Sequence, residues 1–98
     1  MSLLIRAAAE FVGSLAFFGV ILTTGEALPI GIGLVSAIYL VGRISGANLN
    51  PAVSLMLFMK GELSVAALAS YVVAQLLAGL VAVGVFSSLK YRHFFIKH

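Results

Sequence analysis

The side chains that could do chemistry in this chain are few, and they cluster. The stretch "SGANLNPAVS", residues 45–54, gathers two asparagines, a proline and two serines. Glu10 and Gln75 stand alone inside long apolar runs. No serine, threonine or lysine is spaced with a base as a nucleophile would be, and no glycine-rich phosphate loop is present. His93 and His98 lie near the end of the chain without neighbours at metal-ligand spacing. There is no cysteine, which excludes disulfides and thiolate metal sites. The sequence therefore reads as a non-enzyme with no metal and no cofactor.

The chemistry that remains is that of a helix end. Pro51 lacks an amide hydrogen and has a fixed φ, which suits the first position of a helix, with Asn50 as the N-cap. A helix opening there points its positive end, with the Asn50 amide beside it, at whatever lies ahead. Such an end favours acceptor atoms, including water and hydroxyl oxygens, and repels cations.

The surroundings place that helix end in a membrane. Of 98 residues, 62% are hydrophobic and only 9% charged, against about 25% charged in soluble domains. The mean hydropathy is +1.19. Six Lys and Arg against three acidic residues leave a net charge of +3. The basic residues are too few and scattered for nucleic acid and sit at the ends of apolar blocks, where they anchor helices to headgroups. Arg6 before the first block suggests a signal peptide, but the block is long and "TTGEALP" is a poor cleavage site, so a retained spanning helix is expected.

Helix 1 is expected from about 4 to 24 and helix 2 from about 28 to 44, with "TGEALP" as the turn between them. The segment 45–60 is a loop followed by an apolar helix of only about 10 residues, roughly 15 Å and half a bilayer. Helix 3 follows from about 64 to 89, and 90–98 is a basic, aromatic tail. The fold class is an all-α membrane protein, a single unit over 1–98 with three transmembrane helices and one re-entrant half-helix. Ala66, Ser70, Ala74, Ala78 and Ala82 recur every four residues, and Gly33 and Ala37 repeat the spacing once, which predicts close helix–helix contact along those rows. Met56 and Met59 read as packing residues.

Irregular backbone at membrane depth is tolerated only against protein or a wet cavity. The loop 45–50 therefore needs partners. Glu10, an ionisable residue inside helix 1, is a functional candidate by default; the alternative for it is an ordinary pair with Arg6 one turn away.

These residues resemble a known family. "SGANLNPAVS" resembles the first NPA loop of the aquaporins and glycerol facilitators, the major intrinsic proteins. "AAAEFVGSLAFF" is similar to the family's first helix with its buried glutamate, here Glu10, and "YVVAQLLAGLVA" to its third, with Gln75. The resemblance implies a pore motif of Asn50, Pro51 and Ala52. It also implies a pore-lining loop of Gly46, Ala47, Asn48 and Leu49, with Glu10 and Gln75 supporting that loop. By the family's spacing from Asn50, its constriction falls on Ile30, Ile38, Ala47 and Val53. Val53 stands where a selective pore carries arginine, although valine is usual in the family's first loop.

Only one half of the family's fold is matched: the family has two inverted repeats whose half-helices meet at mid-membrane. An inverted second copy would complete the pore, and so would a different chain resembling the missing half. With the N-terminus on one side, Arg6, Arg43 and Lys60 fall there and Lys90, Arg92 and Lys97 fall opposite, a tie that predicts insertion in both orientations. The resemblance implies a passive channel for water or small neutral solutes, made by an antiparallel pair and clustered further, as in the family's four-pore assemblies. The rival reading is a small dual-topology, proton-coupled multidrug exporter, a class that also carries a glutamate in its first helix.

Overall fold

The computed structural model describes residues 1–87. Four helices carry the chain: α1 (Leu3–Thr24), α2 (Ala27–Ser45), α3 (Pro51–Met59) and α4 (Val65–Phe86). Three of them, α1, α2 and α4, are long and apolar enough to cross a membrane. At 1.5 Å per residue these reach roughly 28–33 Å, whereas the nine residues of α3 reach only about 14 Å, half of a hydrocarbon core. The chain is an all-α, multi-pass integral membrane protein. The end of helix 3 expected near residue 89 and the basic tail lie outside the described residues.

Local chemistry explains where the helices begin and end. Ser2 caps α1 by accepting the Ile5 amide at 3.2 Å, and Ser64 caps α4 by accepting that of Ala67 at 3.1 Å. At α3 the Asn50 side chain accepts the amides of Ala52 at 2.7 Å and Val53 at 3.3 Å, with Pro51 at the first helical position. The C-terminus of α2 is closed by Gly46 at φ 89°, a left-handed cap that donates its amide to the Gly42 carbonyl.

Helix α1 is central: α2 and α4 both pack on it, while α3 packs on α4. No helix pair brings α2 against α3 or α4 among the described residues. The contacts are close because they use glycine. A Cβ on Gly13 would lie 2.8 Å from Val41 Cγ2 and 2.9 Å from Leu49 Cδ2, so no larger residue fits between α1, α2 and the loop. Ala9, Ala37, Val41 and Leu49 form the apolar core of this junction.

The small residues of α4 differ from expectation. Ala74, Ala78 and Ala82 are buried, but Ala66 is exposed and Ser70 only half-buried. Ala67, Tyr71 and Gln75 complete the buried face instead. A strict four-residue repeat advances about 40° around a 3.6-residue helix at each step, so five such positions cannot stay on one face. In α2, Ala37 is buried and Gly33 lies against Val20, as that shorter repeat predicts. Met56 and Met59 are exposed on α3 and fill no space within the chain.

Candidate functional site

The loop between α2 and α3 bends sharply twice. Ala47 at φ 51° and Leu49 at φ 58° both occupy the left-handed region, which for non-glycine residues costs about 1–3 kcal/mol each unless the surroundings impose it. The surroundings here are Glu10. Its Oε2 accepts the Asn48 amide at 2.9 Å and the Ser45 hydroxyl at 2.7 Å. Its Oε1 accepts the Leu49 amide at 2.8 Å and Gln75 Nε2 at 2.9 Å. Glu10 is 0% exposed. Successive backbone amides turned inward by a left-handed bend make a nest for an anion, and the carboxylate fills it. An Arg6–Glu10 pair is not formed: Arg6 Nε instead donates to the Tyr71 hydroxyl at 3.1 Å, with its guanidinium 5.5 Å from that ring's centroid.

A second layer holds the first. Ser54 Oγ accepts both Asn48 Nδ2 at 2.8 Å and Gln75 Nε2 at 3.0 Å, tying the loop to the start of α3 and to α4. Tyr71 donates its hydroxyl to the Ser45 carbonyl at 2.7 Å, satisfying one of the open carbonyls at the end of α2. Ser45 Oγ also accepts the Ala47 amide at 3.1 Å. Ser14 Oγ and Gln75 Oε1 are buried with no partner among the described residues.

The structure brings together Glu10, Gln75, Asn48 and Leu49. Sequence reasoning missed Ser45, Ser54, Tyr71 and Arg6. Spacing held a signal for two of them, since Ser54 lies four residues after Asn50 and Tyr71 four before Gln75, each one turn along the same face.

Asn50 is arranged differently from its neighbours. Its Oδ1 faces two backbone amides, which fixes which end of the side chain is oxygen. The Nδ2 donor is then left over, at the exposed positive end of a half-length helix. Pro51 and Val53 are half-buried and Ala52 exposed.

The four residues placed by spacing at a constriction are not gathered into one ring within the chain. Ile30 and Ile38 lie on the side of α2 that also carries Val41 and Ser45. Ala47 and Val53 are half-buried in the loop and in α3, a helix that α2 does not touch.

Comparison with known proteins agrees with this architecture. Aquaporin Z of Rhodopseudomonas palustris is 41% identical over 58 residues, covering 59% of this chain and 24% of that protein. Aquaporin Z of Photorhabdus laumondii is 34% identical over 61 residues, 62% of this chain and 26% of that protein. Aquaporin-1 of Sus scrofa is 37% identical over 62 residues, 63% of this chain and 23% of that protein. The matches thus span about a quarter of the length of these relatives. No solved structure matches significantly. The family described as Major intrinsic protein matches residues 2–96, nearly the full sequence. With its half-helix, its asparagine-capped loop and that full-length match, the chain belongs to the major intrinsic protein family.

Proposed function

We propose that this chain supplies one half of a passive membrane channel for water and small neutral solutes, and that an inverted second copy supplies the other. The observation that carries the reading is Asn50. Its oxygen is consumed in capping α3, so its amide hydrogens and the positive helix end are what remain to face a passing molecule. That field suits the oxygen of water or of a hydroxyl and opposes cations. A helix of about 14 Å reaches only mid-membrane, so a continuous path needs a second half-helix from the opposite face.

Asn50, Pro51 and Ala52 form the pore motif in this reading, and Gly46, Ala47, Asn48 and Leu49 line the approach to it. The constriction is a ring of Ile30 from one copy with Ile38, Ala47 and Val53 from the other. It is apolar and lacks a fixed cation, which makes the pore permissive among small neutral molecules. Glu10 and Gln75 support the loop and do not touch the solute. The burial of Glu10 beneath four hydrogen bonds argues against a proton-coupled exporter, whose glutamate must exchange protons with solvent. No step of this function is enzymatic.

The test is reconstitution of the purified chain alone in proteoliposomes. Stopped-flow permeability to water, glycerol and ammonia is measured together with ion leak in the same vesicles. Water and glycerol flux well above empty vesicles, without ion leak or dependence on a proton gradient, is expected. Flux that appears only when a second, different chain is added would replace the inverted copy by a complementary half. Gradient-driven drug efflux would establish the exporter.

A further inference from the structure

The first turns of α1 divide their side chains between two surroundings. Leu4 is 79% and Ile5 51% exposed, turned outwards as a membrane span requires. Arg6 is half-buried and turns to α4 instead. Glu10 and Gly13 follow it by four and seven residues, so the three fall within about 60° on one face of a 3.6-residue helix. That face fronts the loop: Glu10 accepts the amides of Asn48 and Leu49, and Gly13 lies against the Leu49 side chain.

An arginine that only anchored the helix would reach out to headgroups. Arg6 is held in place. Its Nε donates to the Tyr71 hydroxyl at 3.1 Å, and Tyr71 in turn donates to the Ser45 carbonyl at 2.7 Å. The two bonds in series put the cation within about 6 Å of the residue from which the loop departs. Tyr71 is fully buried, which gives the clamp a fixed base. The Nη groups of Arg6 have no hydrogen bond or ion pair among the described residues and are not sealed from solvent. Of the other described basic side chains, Lys60 is paired with Glu62 at 3.1 Å, and Arg43, two residues past the buried Val41, lies on the opposite side of α2. Glu10 is sealed behind the loop beneath its four donors. Arg6 is therefore the uncompensated charge where the loop begins.

We infer that Arg6 is a specificity-determining residue, a fixed cation at the mouth leading to the loop that turns cations away before they reach Asn50. The inference rests on the channel reading and deepens it. A full charge at a wide entrance acts through its field and does not narrow the passage. It can thus exclude cations while the apolar constriction stays permissive to neutral solutes. An inverted second copy places an Arg6 at each mouth.

The chain has no native cysteine, so a single thiol can report the potential at the loop. Chains carrying Ala47→Cys are reconstituted, and labelling rates are compared for a negatively and a positively charged thiosulfonate of similar size. Arg6→Gln removes the charge but keeps a nitrogen donor for Tyr71 at the same distance from the backbone. Arg6→Lys keeps the charge, and Arg43→Gln is the control. Arg6→Gln should lower the ratio of anionic to cationic rates about tenfold, Arg6→Lys should retain most of it, and Arg43→Gln should leave it within about twofold. At about 1 M salt, where the screening length is about 3 Å, the Arg6→Gln effect should shrink below about twofold, which a structural change would not do. An effect no larger than that of Arg43→Gln, or one that salt leaves intact, would overturn the proposal. In Asn50→Asp chains Arg6→Gln should raise potassium leak about three- to tenfold with water flux held within about twofold, and an unchanged leak would also overturn it. Wild-type chains without water flux reject the channel and with it any role of Arg6 in selection. Water flux without a shift in labelling rejects Arg6 alone and leaves the channel standing.

Discussion

Replacing Glu10 isolates what the loop depends on. In Glu10→Ala the amides of Asn48 and Leu49 lose their acceptor in a site sealed from solvent. Each unpaired buried donor costs about 1–3 kcal/mol, so the two together remove about 2–6 kcal/mol. Two other donors are buffered: Gln75 Nε2 keeps Ser54 Oγ at 3.0 Å, and Ser45 Oγ keeps the Val41 carbonyl at 3.4 Å. The loss is a large share of the 5–15 kcal/mol typical of folded proteins, and the strained residues Ala47 and Leu49 would no longer be held. Glu10→Gln separates bonding from bulk. Its amide oxygen can serve Leu49 and Gln75, and its NH2 can donate to Ser45 Oγ, but that NH2 then opposes the Asn48 amide. One unpaired donor remains, about 1–3 kcal/mol. The expected order of thermal stability and monodisperse yield in detergent is wild type, then Gln, then Ala. Equal damage from both variants, or an Ala variant as stable as wild type, would refute the nest. An Ala variant that assembles normally but loses coupling to a proton gradient would instead make Glu10 a transport residue.

Four further outcomes follow from the same geometry. Asn50→Asp keeps the oxygen that caps α3 but exchanges the free NH2 for a second carboxylate oxygen, so vesicles should gain cation leak while the protein folds normally; Asn50→Ala should lose the cap, about 1 kcal/mol, and most permeation. Val53→Arg should narrow the pore to water without opening a cation leak, read as a fall in glycerol relative to water flux. Ser14→Ala removes a buried hydroxyl that has no partner among the described residues, and its melting temperature should hold or rise; a loss above about 2 kcal/mol would reveal a partner for it. Two lysines added at one end should convert mixed C-terminal reporter orientation to a single orientation and reduce flux, whereas a one-sided wild type that conducts alone would remove the case for antiparallel pairing.

Much of this protein is legible in one dimension because it depends on one-dimensional quantities. Length and apolar content mark α1, α2 and α4 as spans, since a bilayer has a fixed thickness. Asn50 followed by Pro51 marks a helix start, because capping and the missing proline amide act within one turn. The brevity of α3 is a count of residues. Glu10 and Gln75 stand out because polar groups in apolar runs must find partners.

What those partners are was decided only by the tertiary structure. Glu10 reaches amides 38 and 39 residues away, and Gln75 reaches Glu10 across 65. Spacing hints at Ser54 and Tyr71, but what they and Ser45 bond to is fixed only when α1 and α4 come together around the loop. Likewise, the buried face of α4 runs through Ala67 and Tyr71 and not through Ala66 and Ser70, because helix rotation, set by contact with α1 and α3, decides which row of small residues turns inward. A hydrogen bond needs two groups within about 3 Å, and for residues so far apart along the chain only the fold sets that distance.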